Sequence, residues 1–252
     1  MKVKNYLLGY PNTYIIQDSE MFNFSLDSVL LPNFVTLNPK VKKILDIGTG
    51  NAPIPLILSK RTKAKITGVE IQNEVYELAV ETININNLEE QIDLINDDIN
   101  NLYKNMESDI FDVITCNPPF FRNVKLNDSP YKLYARHEQS LTLSQVFKVA
   151  KKLLKNNGII AIVNRPERLI DIVTEMKINN IEPKKMQLVY PSKEKEANIL
   201  LIEGRKNGKT GLKILPPLYS HKENGDYTEE IKKYFGGEIW FKKVMMERLH
   251  CI

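Results

Sequence analysis

Seven short apolar runs recur along the middle of this chain, spaced widely enough for a helix to fit in most of the gaps. They are residues 42–48 (KKILDIG), 65–71 (KITGVEI), 91–97 (QIDLIND), 112–117 (DVITCN), 158–165 (GIIAIVNR), 185–191 (KMQLVYP) and 198–205 (NILLIEGR). Near-continuous apolar strands alternating with helical patterns call for a parallel sheet covered on both faces, because parallel neighbours need a crossover that a helix supplies. The fold class expected is α/β, a doubly wound, seven-stranded, mostly parallel sheet. Between the runs, "NEVYELAVETININNL" carries Val75, Leu78, Ala79, Thr82 and Ile83 on one helical stripe. "LTLSQVFKVAKKLLKNNG" has the same period and predicts a helix capped at Gly158. Residues 1–40 read as a lead-in element followed by a helix from Asp27, residues 41–206 as the core, and residues 207–252 as a basic C-terminal extension packed on the same domain.

The first run leads into "DIGTGNAPIPL", with Asp46 ahead of Gly48 and Gly50. Glycines after a strand let the backbone turn sharply and approach a ligand. Glu70 ends the second run twenty residues after Gly50, where a carboxylate can accept both hydroxyls of a ribose. Together they point to an adenosine-type ligand. A dinucleotide fingerprint wants glycine or alanine where Pro53 stands, and no G-K-[ST] follows for a phosphate loop. Asp46 would repel pyrophosphate yet suit an ammonium or sulfonium, which favours S-adenosylmethionine over NAD. At the end of the third run Asp97 and Asp98 both qualify as acceptor for an adenine amino group, and the residues alone leave the choice open.

The fourth run ends in Asn117, Pro118, Pro119 and Phe120. Each proline restricts the residue before it to extended conformations, so the Asn117 side chain and the Pro118 carbonyl are fixed in direction. Two acceptors aimed at one spot suit a planar amino group, whose lone pair is delocalised until its hydrogens are drawn out of the plane. Positioning and electrostatics then carry catalysis, with Phe120 stacking on the substrate.

The order DIGTG, strand-end Glu70, NPPF resembles the class I S-adenosylmethionine-dependent amino-methyltransferases, a Rossmann-like fold. More narrowly, "FNFSLDSVLLPNF", "ARHE", "NRPERL" and "GLKILPPLYSHKENGDYTEEI" resemble the bacterial tRNA1(Val) adenine-N6-methyltransferase family, over about residues 15 to 235. The resemblance implies N6 methylation of the adenosine just 3′ of the anticodon, position 37. It implies Asp46, Gly48, Gly50, Glu70 and Asp98 around S-adenosylmethionine, and Asn117, Pro118, Pro119 and Phe120 as the catalytic corner. The chain departs from the family at Ala52 and Pro53, where a glycine commonly widens the loop, and in its tail after Gly236. The rivals are a release-factor glutamine methyltransferase, which usually carries a helical domain ahead of the loop and a tyrosine in the motif, and a non-catalytic RNA-binding protein of the same fold.

A net charge of +4 permits a nucleic-acid partner. Arg122, Lys125, Lys132 and Arg136 stand among aromatic residues directly after the motif, with cations for phosphate and rings for stacking. Arg165, Arg168, Lys206 and Lys209 are expected to extend that RNA-binding surface to a tRNA substrate. The two cysteines have no metal-ligand spacing, so no metal is expected, and Cys116 reads as core. No signal peptide or membrane-length apolar run is present, so the expectation is a cytoplasmic protein with no membrane partner, a monomer or weak homodimer.

Overall fold

The computed structural model describes residues 2–7, 10, 12–18, 25–118 and 141–235. An antiparallel hairpin, β1 (Lys2–Tyr6) with β2 (Tyr14–Asp18), and helix α1 (Leu26–Phe34) come first. Then follow β3 (Lys43–Ile47), α2 (Pro53–Arg61), β4 (Lys65–Glu70), α3 (Asn73–Ile85), β5 (Ile92–Asn96), α4 (Ile99–Asn105) and β6 (Phe111–Cys116). Beyond residue 140 lie α5 (Leu143–Leu153), β7 (Leu154–Asn164), a short 3-10 turn, α6 (Leu169–Ile178), β8 (Ile181–Tyr190) and β9 (Ile199–Lys206). Two-residue strands β10 (Lys213–Ile214) and β11 (Leu218–Tyr219) and helix α7 (Glu229–Tyr234) complete the described chain.

All seven apolar runs are strands of one sheet, in the order β5-β4-β3-β6-β7-β9-β8, with β10 and β11 both paired to β8. Strands β3 to β7 are parallel, and β9 runs antiparallel between β7 and β8. Alternate residues along each strand serve opposite faces, as the two-residue period requires. Ile44, Val113, Ala161 and Leu201 join a core with α1, α2 and α3. Leu45, Ile114, Ile160 and Ile202 join a second core with α5 and α6. Most of these side chains are fully buried, each contributing about 1.5–3 kcal/mol for the larger aliphatics. The stripe Val75, Leu78, Ala79, Thr82, Ile83 is the buried face of α3.

The lead-in element is a two-stranded hairpin, packed at the end of α3 through Asn86, whose amide exchanges hydrogen bonds with the Tyr14 backbone at 2.9 and 2.7 Å. Two local expectations are corrected. Gly158 is not a helix cap. Helix α5 stops at Leu153, because Leu154 is drawn into register with Phe111 on β6, and Gly158 lies inside β7. Strand β8 starts at Ile181, ahead of residue 185, carrying Pro183 at a register shift against β9 where a missing N–H is tolerated.

Helix α1 is clamped to the sheet by an ion pair between half-buried Lys185 and buried Glu203. Lys185 Nζ lies 3.1 Å from Glu203 Oε2, and donates to Phe34 O and Thr36 Oγ1 at 2.7 Å each. Glu203 Oε2 also accepts the Thr36 N–H at 2.8 Å. Arg61, at the end of α2, donates to the carbonyls of Pro32 and Val35, satisfying acceptors that the end of α1 leaves open. Replacing Lys185 by Met keeps the stem and leaves Glu203 a buried charge without its counter-ion. We expect Lys185→Met to cost about 2–4 kcal/mol, read as a lower urea midpoint; an unchanged midpoint would show that the pair does not hold α1.

Candidate active site

Three strand ends, β3, β4 and β6, lie side by side, since Ile47 pairs with both Val69 and Cys116. The chain leaves β3 through a tight loop in which Gly48 (φ 68°) and Gly50 (φ 60°) occupy the left-handed region. The amides of Gly48 and Thr49 both donate to the Val69 carbonyl at 2.9 and 3.0 Å, hanging the loop on the end of β4. A Cβ placed on Gly48 or Gly50 would meet no atom within 4 Å, so the outer side of the loop is open to a bound molecule. Ala52 takes φ 68° as well, the conformation a glycine would have supplied at that point. Pro53 then starts α2 where its missing N–H costs nothing.

Glu70 stands at the end of β4 with its carboxylate against this loop. Its Oε2 accepts the Gly50 N–H at 2.9 Å and its Oε1 the Gln72 N–H at 2.9 Å. Burial raises its pKa, opposed by the amides of Gln72, Gly50 and Ile71. With these amides held, the carboxylate has lone-pair capacity left for a ligand hydroxyl. Asn51 adds a tie the sequence did not signal: its Nδ2 donates to the Ile16 carbonyl on β2 at 2.7 Å, so the hairpin braces the loop.

Asp46 does not face outward. It is fully buried in β3, beneath the loop. Oδ2 accepts from Thr49 Oγ1 at 2.7 Å and Oδ1 from Thr115 Oγ1 at 2.6 Å. One carboxylate thus joins β3, the glycine loop and β6. Gly68, its register partner on β4, makes room: a Cβ there would lie 2.9 Å from Thr49 Oγ1. Burial pushes the Asp46 carboxyl up to about 7, with Glu70 adding to the shift and the two hydroxyls opposing it.

Two residues beyond Thr115, Asn117 emerges at the end of β6, half-buried, followed by buried Pro118. Among the described residues its side-chain amide makes one hydrogen bond, from Nδ2 to Ser28 Oγ on α1 at 3.3 Å. Pro119 and Phe120 lie outside the described residues, as do Arg122, Lys125, Lys132 and Arg136. At the end of β5, Asp97 Oδ1 accepts the Asp98 N–H at 2.7 Å, while Asp98 caps α4 by accepting the Asn100 N–H at 2.8 Å.

Arg165 follows β7 on the same edge as Asn117, its Nη1 donating to Asn198 O at 2.7 Å, and Arg168 pairs with Asp171 at 2.8 Å. Lys206 and Lys209 are not brought to this edge. Strand β9 is antiparallel to β7, so its last residues lie beside the beginning of β7, where Lys206 Nζ bonds Leu154 O at 2.8 Å and Asp109 at 2.7 Å. Thr49, Thr115, Asn51 and Ser28 are the site residues that the sequence reading did not single out. A hydroxyl inside an apolar strand, Thr115, was the available signal for one of them.

A family model described as the methyltransferase small domain matches residues 25–185. The chain is 25% identical over 205 residues to a Flavobacterium psychrophilum protein named tRNA1(Val) (adenine(37)-N6)-methyltransferase, an alignment covering 80% of this chain and 87% of that one. A Parabacteroides distasonis protein of the same name is 31% identical over 181 residues, covering 70% and 74%. Among solved structures, that of a predicted O-methyltransferase from Agrobacterium tumefaciens superposes with a TM-score of 0.67 at 16% identity, over 84% of this chain and 98% of that one.

The Asp46 bridge sets a pH dependence. A carboxyl raised from 3.8 to about 7 in the folded state keeps a proton that the unfolded chain has lost. Stability therefore falls as pH rises from about 4 to about 7, and the penalty is complete above that. Asp46→Asn has no proton to lose, so urea midpoints of the variant should fall less over this window than those of the parent chain; equal slopes would remove Asp46 from the account.

Proposed function

The chain belongs to the methyltransferase small domain family, and on that premise we propose that it transfers a methyl group from S-adenosylmethionine to N6 of adenosine 37 in tRNA1(Val). The observation that carries this reading is the Asp46 carboxylate, which fixes an adenosine-type loop and an Asn-Pro corner side by side through Thr49 and Thr115. The relatives' names supply the substrate, and a tRNA substrate puts the reaction in the cytoplasm. The glutamine and non-catalytic readings lose ground to those names.

The residues present fit the cofactor. Glu70, at the end of β4, has acceptor capacity left for a ribose hydroxyl, and the open side of Gly48 and Gly50 leaves room for the body of the molecule. Asp98, at the end of β5, is the acceptor we assign to the adenine amino group. The bound cofactor supplies an electrophilic methyl group on a sulfonium. Asp46 acts from below, holding the loop in shape through Thr49.

The reacting nitrogen is an exocyclic amine conjugated to its ring, a weak nucleophile. Asn117 Oδ1 and the Pro118 carbonyl accept its two hydrogens, drawing them out of the ring plane and turning the lone pair toward the methyl group. The contribution is orientation and electrostatics, made before the reaction begins. Phe120 stacks on the base, and a nucleotide flipped out of its stack is the form that reaches such a corner. Arg165 and Arg168, with Arg122, Lys125, Lys132 and Arg136 from the segment after the motif, are the cations we assign to phosphates. Lys206 and Lys209 are left out, being at the opposite edge of the sheet.

The test is methyl transfer from labelled cofactor to tRNA lacking the modification, with the product nucleotide located by mass spectrometry. Asn117→Ala should lower kcat on the order of 100- to 1,000-fold, with cofactor and tRNA dissociation constants nearly unchanged; full activity in the variant would sink the mechanism. A second measurement addresses the surface. If three or four of the assigned cations meet phosphates, the logarithm of the tRNA association constant should fall with the logarithm of salt concentration with a slope of roughly −3; a slope near zero would remove them.

A further inference from the structure

We infer that the edge of the sheet opposite the catalytic corner carries a second RNA surface, a lysine cluster at the start of β3 and β4 that takes phosphates of the tRNA outside its anticodon loop. The inference rests on the tRNA substrate proposed above and deepens it, by naming the part of that substrate the cluster meets. Lys40 and Lys42 precede β3 and Lys43 begins it; Lys60 stands in the last turn of α2, Lys63 in the link to β4 and Lys65 at its start, all six exposed. The two segments adjoin. Lys43 and Lys65 are register partners, and the Lys65 N–H donates to Lys42 O at 2.9 Å.

The fold does not neutralise this cluster. The side chains of Lys40, Lys42, Lys43, Lys60 and Lys63 have no hydrogen-bond or ion-pair partner among the described residues, and Lys65 Nζ donates to the Glu90 carbonyl. Elsewhere lysines are matched with acids: Lys155 with Asp112, Lys177 with Glu182, Lys206 with Asp109, Lys222 with Glu229. Asp112 touches the cluster, but its carboxylate accepts the backbone N–H groups of Lys42 and Lys43 at 2.8 and 2.9 Å and the Lys155 ammonium at 2.7 Å. It fixes the segment and leaves the side-chain charges unpaired. Glu89 and Glu90 are exposed in the link to β5, on the outer side of β4. Like charges set against each other on neighbouring strands are destabilising, and a ligand that brings negative charge to Lys43 and Lys65 removes that cost.

The cluster is also held in place. Val41 is buried between its lysine neighbours, with its N–H donating to Asn38 O at 3.0 Å, and Gln91 Nε2 bonds the carbonyls of Thr62 and Ala64 at 2.8 and 3.1 Å. Lys43 stands four residues before Ile47, so about 13 Å of strand separate the cluster from the glycine loop. That is less than half of one helical turn of a duplex, about 34 Å in DNA, so a helical arm of a tRNA is long enough to span the depth of the sheet. The large exposed apolar side chains, Ile71 and Ile170 among them, lie outside these segments. Charge without apolar surface suits a phosphate backbone and does not suit a membrane, where binding grows with the apolar area inserted.

The test is the triple variant Lys40→Gln, Lys43→Gln, Lys63→Gln, measured for binding to full-length tRNA and to the anticodon stem-loop alone. Its urea midpoint should stay at or above that of the parent, because only exposed, mutually repelling charges are removed. The dissociation constant for full-length tRNA should rise about 10- to 100-fold at low salt, and the slope of the logarithm of the association constant against that of salt should become shallower by about two to three. For the stem-loop, affinity should stay within about twofold and the slope should not change. A control with the same loss of charge at Lys104, Lys148 and Lys233, exposed on α4, α5 and α7, should bind full-length tRNA within about threefold of the parent. Binding is read without catalysis, so the two failures are separable: a parent that binds tRNA through these lysines and methylates no adenosine fails the functional reading and leaves the surface standing. Unchanged tRNA affinity and slope in the triple variant, an equal loss on the stem-loop, or an equal loss in the control would overturn the inference. So would a variant that keeps tRNA binding and loses binding to phosphatidylglycerol vesicles.

Discussion

One buried carboxylate sets the geometry of the C-terminal edge of the sheet. Removing a charge from water is costly, and the cost is visible in Asp46, whose carboxyl is pushed up to about 7. Two threonine hydroxyls partly offset it, and they belong to the two places that must keep their distance from each other: the loop at Thr49 and the end of β6 at Thr115. A leucine at residue 46 would pack well and position nothing. The carboxylate has two acceptor ends in one plane, so the direction of the loop and the direction of β6 are set by the same rigid group. Gly68 on the neighbouring strand is part of the same arrangement, since a methyl group there would occupy the space of the Thr49 hydroxyl.

The opposite side of the site depends on α1. A nine-residue helix with a proline inside it has little stability of its own. It is held by attachments at its end: Lys185 and Glu203 from the sheet, Arg61 from α2. Removing half-buried Lys185 would leave the buried Glu203 charge without its counter-ion, which favours the arrangement that keeps α1 in one place. The hairpin braces the loop in a similar way, through Asn51 and the Ile16 carbonyl. Segments ahead of the sheet in sequence thus frame the site from above, while β3, β4 and β6 frame it from below.

What could be read in the residues is what depends on local pattern. The sheet followed from apolar runs and the buried face of α3 from its period, because each signal lies within a few residues of its effect. The end of α5 was not legible: Gly158 looks like a helix stop, but the stop is set at Leu153 by pairing of the next residue with Phe111, more than forty positions away. Asp46 was singled out as an acid near a cofactor, and its actual neighbours were invisible for the same reason, Thr115 being 69 residues distant. Ala52 shows a different limit. The sequence departs there from glycine, yet the backbone adopts the left-handed conformation anyway, because the loop is held at both sides firmly enough to impose it.

On the proposed reaction, these pieces account for a corner with many constraints and little conventional catalytic apparatus. An exocyclic amine is not made reactive by a strong base, since it holds no acidic proton to remove at neutral pH; it is made reactive by having its hydrogens drawn to fixed points. The rate then depends on how little those points move. Pro118 restricts Asn117 to extended backbone, Asp46 ties the strand beneath to the glycine loop through Thr115 and Thr49, and α1 meets the Asn117 amide through Ser28. On that reading, a site made of one amide and one carbonyl depends on backbone direction and strand position together, and so on a whole sheet edge to support it.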